Sequence, residues 1–256
     1  QLDLNRRDYA NTLIKTGAGL DFDPDCDPEL CSDFNPDAPD LSCIQSCSNL
    51  FVPRLLPGQD RPDPADGRCD GMTFFECWGV LDFIGGSTPV HIDLENGTNV
   101  LAYPTKDGHI YLVDADHLGT MYDRYKLVEQ CGTPGDQCIW YWAGMSVTHP
   151  AQTTIADEPV VLVPTFMGDN THPAGIVALR IILENGTPRF APFWTYPDFA
   201  TSEAIDRFRR HPSRLRLDSF GSSKTEVGWV VETARPGKKA TLHGIRVSDG
   251  KQLVRT

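Results

Sequence analysis

The stretch "NVLAYPTKDGHIYLVDADHLGTMYDRY", residues 99–125, decides how this chain folds. An apolar run ends in Thr105. Asp107-Gly108 follows, and because Gly accepts the positive φ that tight turns require, the pair reads as a hairpin turn. "HIYLVD" then forms a second strand of alternating and buried character. "DADHLGT" next places Asp114, Asp116 and His117 beside Gly119. Three such groups are either a small acidic site or the end of a strand and its turn. Two further copies of the pattern favour strand end and turn.

Those copies start at Pro159, "PVVLVPTFMGDNTHPAGIVALRIILENGTPRFAPFW", and at Gly228, "GWVVETARPGKKATLHGIRVSDGKQLVRT". In each, an apolar strand ends in Thr (Thr105, Thr165, Thr233), a polar turn follows, a second strand comes next, and a short turn leads to a third. Thr105 to Thr165 is 60 residues and Thr165 to Thr233 is 68. "LENGT" occurs at Leu94–Thr98 and again at Leu183–Thr187, and Asn-Gly is the strongest short hairpin signal. Strand, turn, strand, Gly turn, strand is the internal order of a β-propeller blade. The extra length falls in "EQCGTPGDQC" and "PDFATSEAIDRFRRHPSRLR". The second suggests a short helix with Ser202 as its N-cap and Ile205 and Phe208 on one face. The expected fold is all-β: four-stranded propeller blades over residues 90–256, preceded by an acidic, Cys/Pro-rich, irregular segment over residues 1–89. Three legible blades fall short of the ~4 to 8 that a ring needs, so the expected propeller is partial within this chain.

With these repeats in view, the chain resembles the pyrroloquinoline-quinone-type, or quinoprotein-like, β-propeller family. "YLVDADHLG" (residues 111–119) takes the place of that family's aromatic-Leu-x-Asp-Ala-x-x-Gly core, and the likeness runs from about residue 90 to the C-terminus. It implies the fold first. The family holds quinone-dependent alcohol dehydrogenases, outer-membrane assembly factors and extracellular binding proteins. The adjacent cysteine pair of the dehydrogenases is absent here, and their calcium-ligand carboxylates and catalytic Asp map onto no position. Pyrroloquinoline quinone is therefore not an expected cofactor, and a binding or structural module is the leading expectation. A quinone-dependent oxidoreductase subunit is the alternative.

Eight cysteines, all within the first 138 residues, show neither C-x-x-C nor C-x-x-C-H spacing. Disulfides in an oxidising compartment are the expected reading, with zinc as the runner-up. The location expected is extracellular or cell-surface, with the periplasm as an alternative. Cys131–Cys138 and Cys69–Cys77 enclose short loops and are the expected local bridges. Cys26, Cys31, Cys43 and Cys47 are left to pair among themselves. Of the two N-x-T sequons, Asn96 is the candidate glycan acceptor, since Pro188 follows the one at Asn185. No apolar run approaches the ~20 residues of a membrane-spanning helix. The chain begins at Gln1, which suggests processing or a longer product.

Net charge is -12, unevenly placed. Residues 1–70 hold 14 acidic and 6 basic side chains, whereas residues 201–256 hold 6 and 12. This polarity argues against nucleic acid and suits head-to-tail joining of subunits or an acidic calcium site. Asp21, Asp23, Asp25 and Asp27 are the candidate calcium ligands, because alternate carboxylates converge on a hard cation. Arg207, Arg209, Arg210, Arg214 and Arg216 form a candidate patch for an anion, a glycan or an acidic partner. Trp140, Tyr141 and Trp142 would suit either sugar stacking or inter-blade packing. A His/Asp set, His149 with Asp169, Asn170 and His172, could do acid/base work, although a loop His is more often solvated. The expected partner is a second chain or an identical subunit that completes the propeller.

Overall fold

The computed structural model describes residues 13–20, 22–31, 42–51, 87–105, 109–127, 148–165, 175–198, 212–220, 225–233 and 239–256. Over these the protein is all-β: three four-stranded antiparallel sheets and one two-stranded sheet, none of them closed. In the N-terminal part, β1 (Leu13–Ile14) pairs with β2 (Leu50–Phe51), and two single-turn helices, α1 (Pro28–Cys31) and α2 (Ser42–Gln45), lie between them. A Cys26–Cys47 disulfide ties this segment together. Cys43 is also disulfide-bonded. The expected Cys69–Cys77 and Cys131–Cys138 bridges lie outside the described residues.

The first sheet runs β3 (Val90–Asp93), β4 (Asn99–Pro104), β5 (His109–Asp114), β6 (Met121–Lys126). The second runs β7 (Ala151–Ile155), β8 (Glu158–Thr165), β9 (Gly175–Glu184), β10 (Thr187–Tyr196). The third runs β11 (Arg216–Phe220), β12 (Thr225–Glu232), β13 (Thr241–Arg246), β14 (Gln252–Arg255). Each is an up-and-down meander in chain order, because short turns join neighbours. Asn185 and Gly186, at φ 52° and 81°, close a two-residue hairpin with Glu184 opposite Thr187. Gly97 at φ 84° closes the β3–β4 turn, where Leu94 N–H donates to Thr98 O.

The three sheets repeat down to their irregularities. A β-bulge interrupts each outer strand pair at the same place: between Leu112 and Val113, between Ala178 and Leu179, and between Gly244 and Ile245. The residue skipped is Tyr122, Phe193 and Leu253 in turn. A bulge twists and bends its strand, so an equal bulge gives the three sheets equal curvature.

This register corrects one expectation. Thr105 and Thr165 are equivalent: both are fully buried, and both hydroxyls donate to a carbonyl across the turn, of His109 and Gly175. The third member is Glu232 rather than Thr233. Val163 and Val177 face the first sheet, and their counterparts Val230 and His243 likewise face the preceding sheet. Glu232 pairs with Thr241, two positions before His243, so it takes the slot of Thr165 opposite Gly175. A one-residue slip exchanges the two faces of a strand, and the repeated Thr concealed it.

The sheets stack face to face in chain order. The first joins the second through Val100, Ala102, Ile110 and Leu112 against Val161, Val163, Val177 and Leu179. The second joins the third through Val160, Leu162, Ile176 and Ala178 against Leu215, Val230 and Ile245. Each Val, Leu or Ile among them contributes ~1.5–3 kcal/mol when fully buried. On the other side of the first sheet, Tyr103, Tyr111 and Val113 pack against Phe51 and Leu118, with Leu13 alongside. The N-terminal segment therefore forms a fourth layer. Gly119 belongs to this contact: its N–H donates to Cys47 O, and a Cβ there would stand 2.6 Å from the carbonyl oxygens of Ile44, Gln45 and Cys47. No larger residue allows that approach.

Candidate functional site

Polar side chains seam the layers together. Between the first and second sheets, Asp123 accepts the Phe190 N–H at 2.8 Å, and Arg189 donates to Tyr122 O at 2.7 Å. Between the second and third, Thr153 Oγ1 donates to Glu226 Oε2 at 2.6 Å and Trp194 Nε1 to Val247 O at 2.9 Å. Deeper in that seam lies a relay. The Tyr196 hydroxyl sits 2.8 Å from His243 Nδ1 and 2.5 Å from Gln252 Oε1, and His243 Nε2 sits 3.2 Å from Glu232 Oε2. His243 is 0% exposed and Tyr196 4%. A carboxylate, an imidazole and a phenol in line can hold a proton in one orientation, and here they join three strands of one sheet to the next. The relay opens at Tyr196 and Gln252 onto a cleft of about 570 Å³ also lined by Trp194, Asp198, Asp249 and Lys251. Sequence reasoning missed it because Tyr196 and His243 are 47 residues apart and neither sits in a motif.

The second feature is the outer face of the third sheet. Trp229, Gly244 and Val254 lie in one cross-strand row with Arg216, and Val227 and Arg246 lie in the next. A Cβ on Gly244 would meet the Trp229 ring at 2.8 Å, so the bare backbone at 244 lets the indole lie flat across β13. Trp229, Val227, Arg246 and Val254 line an open cleft of about 1100 Å³ that continues round the sheet end to Thr153 and Glu226. A flat indole beside arginines suits a sugar ring or an apolar side chain.

The residues singled out from sequence fall elsewhere. Asp114 accepts the N–H groups of Asp116 (2.7 Å) and His117 (2.9 Å) and the Tyr122 hydroxyl (2.5 Å), so it organises the β5–β6 turn. Burial, then that hydrogen bond, then the charges of Asp114 and Asp116, push the Tyr122 phenol up to about 12. Asp25 accepts from Ser48 N at 2.8 Å, Asn49 N at 3.1 Å and the Ser48 hydroxyl. Burial raises its pKa, but the Ser48 and Asn49 hydrogen bonds outweigh this and hold it below the usual carboxylate value. Asp27 caps α1 through Glu29 N, and Asp23 O accepts from Asn49 Nδ2. These aspartates thus fasten the N-terminal layer. Among the described residues, no group of three or more His, Cys, Asp or Glu converges as a metal site. His149 Nδ1 meets the Thr88 N–H at 3.1 Å, which pins β3 to the approach of β7. Asn96 is exposed in its hairpin turn. Arg216 is exposed on β11 of the third sheet, and Arg214 is exposed just before it. Asp21, Asp107-Gly108, Trp140, Tyr141, Trp142, Asp169, Asn170, His172, the Ser202 helix, Arg207, Arg209 and Arg210 lie outside the described residues. Among the described residues, no helix is long and apolar enough to cross a membrane.

No protein-family model matches the chain, and no curated protein is detectably similar to it in sequence.

Proposed function

We propose that this chain is an extracellular or cell-surface contact module, its three sheets serving as blades of a quinoprotein-like propeller. It would bind protein or glycan through the outer face of the third sheet. One observation carries this reading. The three sheets share a bulge, a register and a packing direction, and the positions that make the forward contact in the first two remain apolar in the third. Val100 and Val160 correspond to Val227, Ile110 and Ile176 to Leu242, and Trp229 lies between. The Cys26–Cys47 bridge fits an oxidising compartment. Absorption spectroscopy and a dye-linked alcohol dehydrogenase assay on the purified protein test the reading. A colourless protein without activity supports it. A bound near-ultraviolet chromophore that turns over alcohols overturns it in favour of a quinone-dependent oxidoreductase.

A further inference from the structure

The layers have two ends, and the ends are opposite in charge and alike in exposed apolar side chains. At one end the N-terminal layer exposes Asp23, Asp25, Asp27 and Glu29 against Lys15. At the other, the third-sheet region exposes Arg214, Arg216 and Lys239 against Asp218, while Asp249 pairs with Arg246 and Lys251. The large exposed hydrophobics among the described residues follow the same division. Leu20 (81%), Leu30 (49%) and Ile14 (38%) are on the N-terminal layer, and Leu253 (43%) and Val254 (40%) are on the third sheet. Only Leu183 lies elsewhere. Exposed apolar side chains on two different surfaces that differ in the sign of their exposed charge suit the halves of a heterologous interface.

We infer that the occupant of the outer face of the third sheet is the N-terminal layer of a second copy of this chain, joined head to tail. The inference rests on the contact-module reading above and names its partner. Charge attraction orients the encounter, and burial of Val254 and Trp229 against Leu20 and Leu30 holds it. Such an interface closes into a ring or propagates as a filament according to its rotation angle.

Two exposed substitutions test it, each blocking one end: Leu20→Lys on the N-terminal layer and Val254→Glu on β14. Sedimentation analysis of the whole chain at low salt should show wild-type mass rising with concentration above 28.4 kDa. Raising the salt should weaken that association about tenfold. Each variant alone should stay at monomer mass, with a circular dichroism spectrum matching wild type. Mixed in equal amounts they should form a species of twice that mass, since each still carries one intact half, and the complex should stop there. A wild type that stays monomeric at every concentration overturns the inference. So does a variant pair that fails to complement, which is the outcome expected of a twofold interface. A monomeric, colourless wild type whose Trp229 face captures a glycan would overturn the self-association and leave the contact-module reading in place.

Discussion

Tyr196→Phe removes one hydroxyl and little volume, so it isolates the relay between the second and third sheets. The hydroxyl meets His243 Nδ1 at 2.8 Å and Gln252 Oε1 at 2.5 Å. Gln252 is exposed and can turn to water, whereas His243 is fully buried. The cost therefore concentrates on the imidazole, which loses the hydroxyl while its Nε2 stays committed to Glu232. Removing one partner from a buried polar pair costs about 1–3 kcal/mol, so we predict about 2 kcal/mol of destabilisation. At this chain length that corresponds to a fall of about 4–8 °C in Tm. Urea unfolding followed by Trp fluorescence reads it, since Trp194 and Trp229 lie in or on the sheets concerned. His243→Leu alone should cost a similar amount. The double variant should cost less than the two added together, with a coupling of at least about 1 kcal/mol, because replacing both partners strands neither. A Tyr196→Phe protein within about 0.5 kcal/mol of wild type, or strictly additive variants, would refute the relay as a structural clamp.

Other consequences are equally open to measurement. Ala156 and Asp157 hold φ of 51° and 66° in a two-residue hairpin between Ile155 and Glu158, so Ala156→Asn with Asp157→Gly should raise stability by about 1 kcal/mol in the same assay; no gain would mean that the turn is not so strained. Gly119→Ala should lift the N-terminal layer from the first sheet, read as faster proteolysis within residues 13–51 while the three sheets stay protected, and unchanged proteolysis would count against the close approach. Loss of Cys26–Cys47 by paired Ser substitution should cost the same layer about 3 kcal/mol, given the 21-residue separation; equal hydrogen exchange with and without the bridge would contradict this. Tyr122 has a folded-state pKa of about 12 against an unfolded value near 10. Its contribution to stability is thus complete below about pH 10 and is lost as pH rises from about 10 to 12. Tyr122→Phe should flatten that part of the alkaline stability profile, and an unaltered profile would show that the Asp114 hydrogen bond has no such effect.

The parts of the fold legible in the sequence were those with local causes. Asn185-Gly186 and Asn96-Gly97 announce their turns because positive φ is a property of one or two residues. The apolar runs of β4, β5, β8 and β9 are visible because those strands are buried on both faces. Ala156-Asp157 gives no such signal, for neither residue favours the conformation it adopts. The third repeat was placed one residue off because Thr233 imitates Thr105 and Thr165, whereas facing is decided by packing against the second sheet. Gly119 read as a turn glycine, and only the approach of α2 shows why a side chain is excluded there. The open third-sheet face was equally hidden. It depends on the flat seating of Trp229 over Gly244, two residues on different strands.

The bond ladder of β14 also has a mechanical meaning. Its four residues are all exposed, and among the described residues β13 is its sole partner in the sheet. Tension applied at Thr256 would load the Thr256–Leu242 pair first, and then each pair behind it in sequence, instead of shearing the whole ladder at once. The third sheet would open like a zip at low force. The first and second sheets, packed on both faces, would bear load until it had gone.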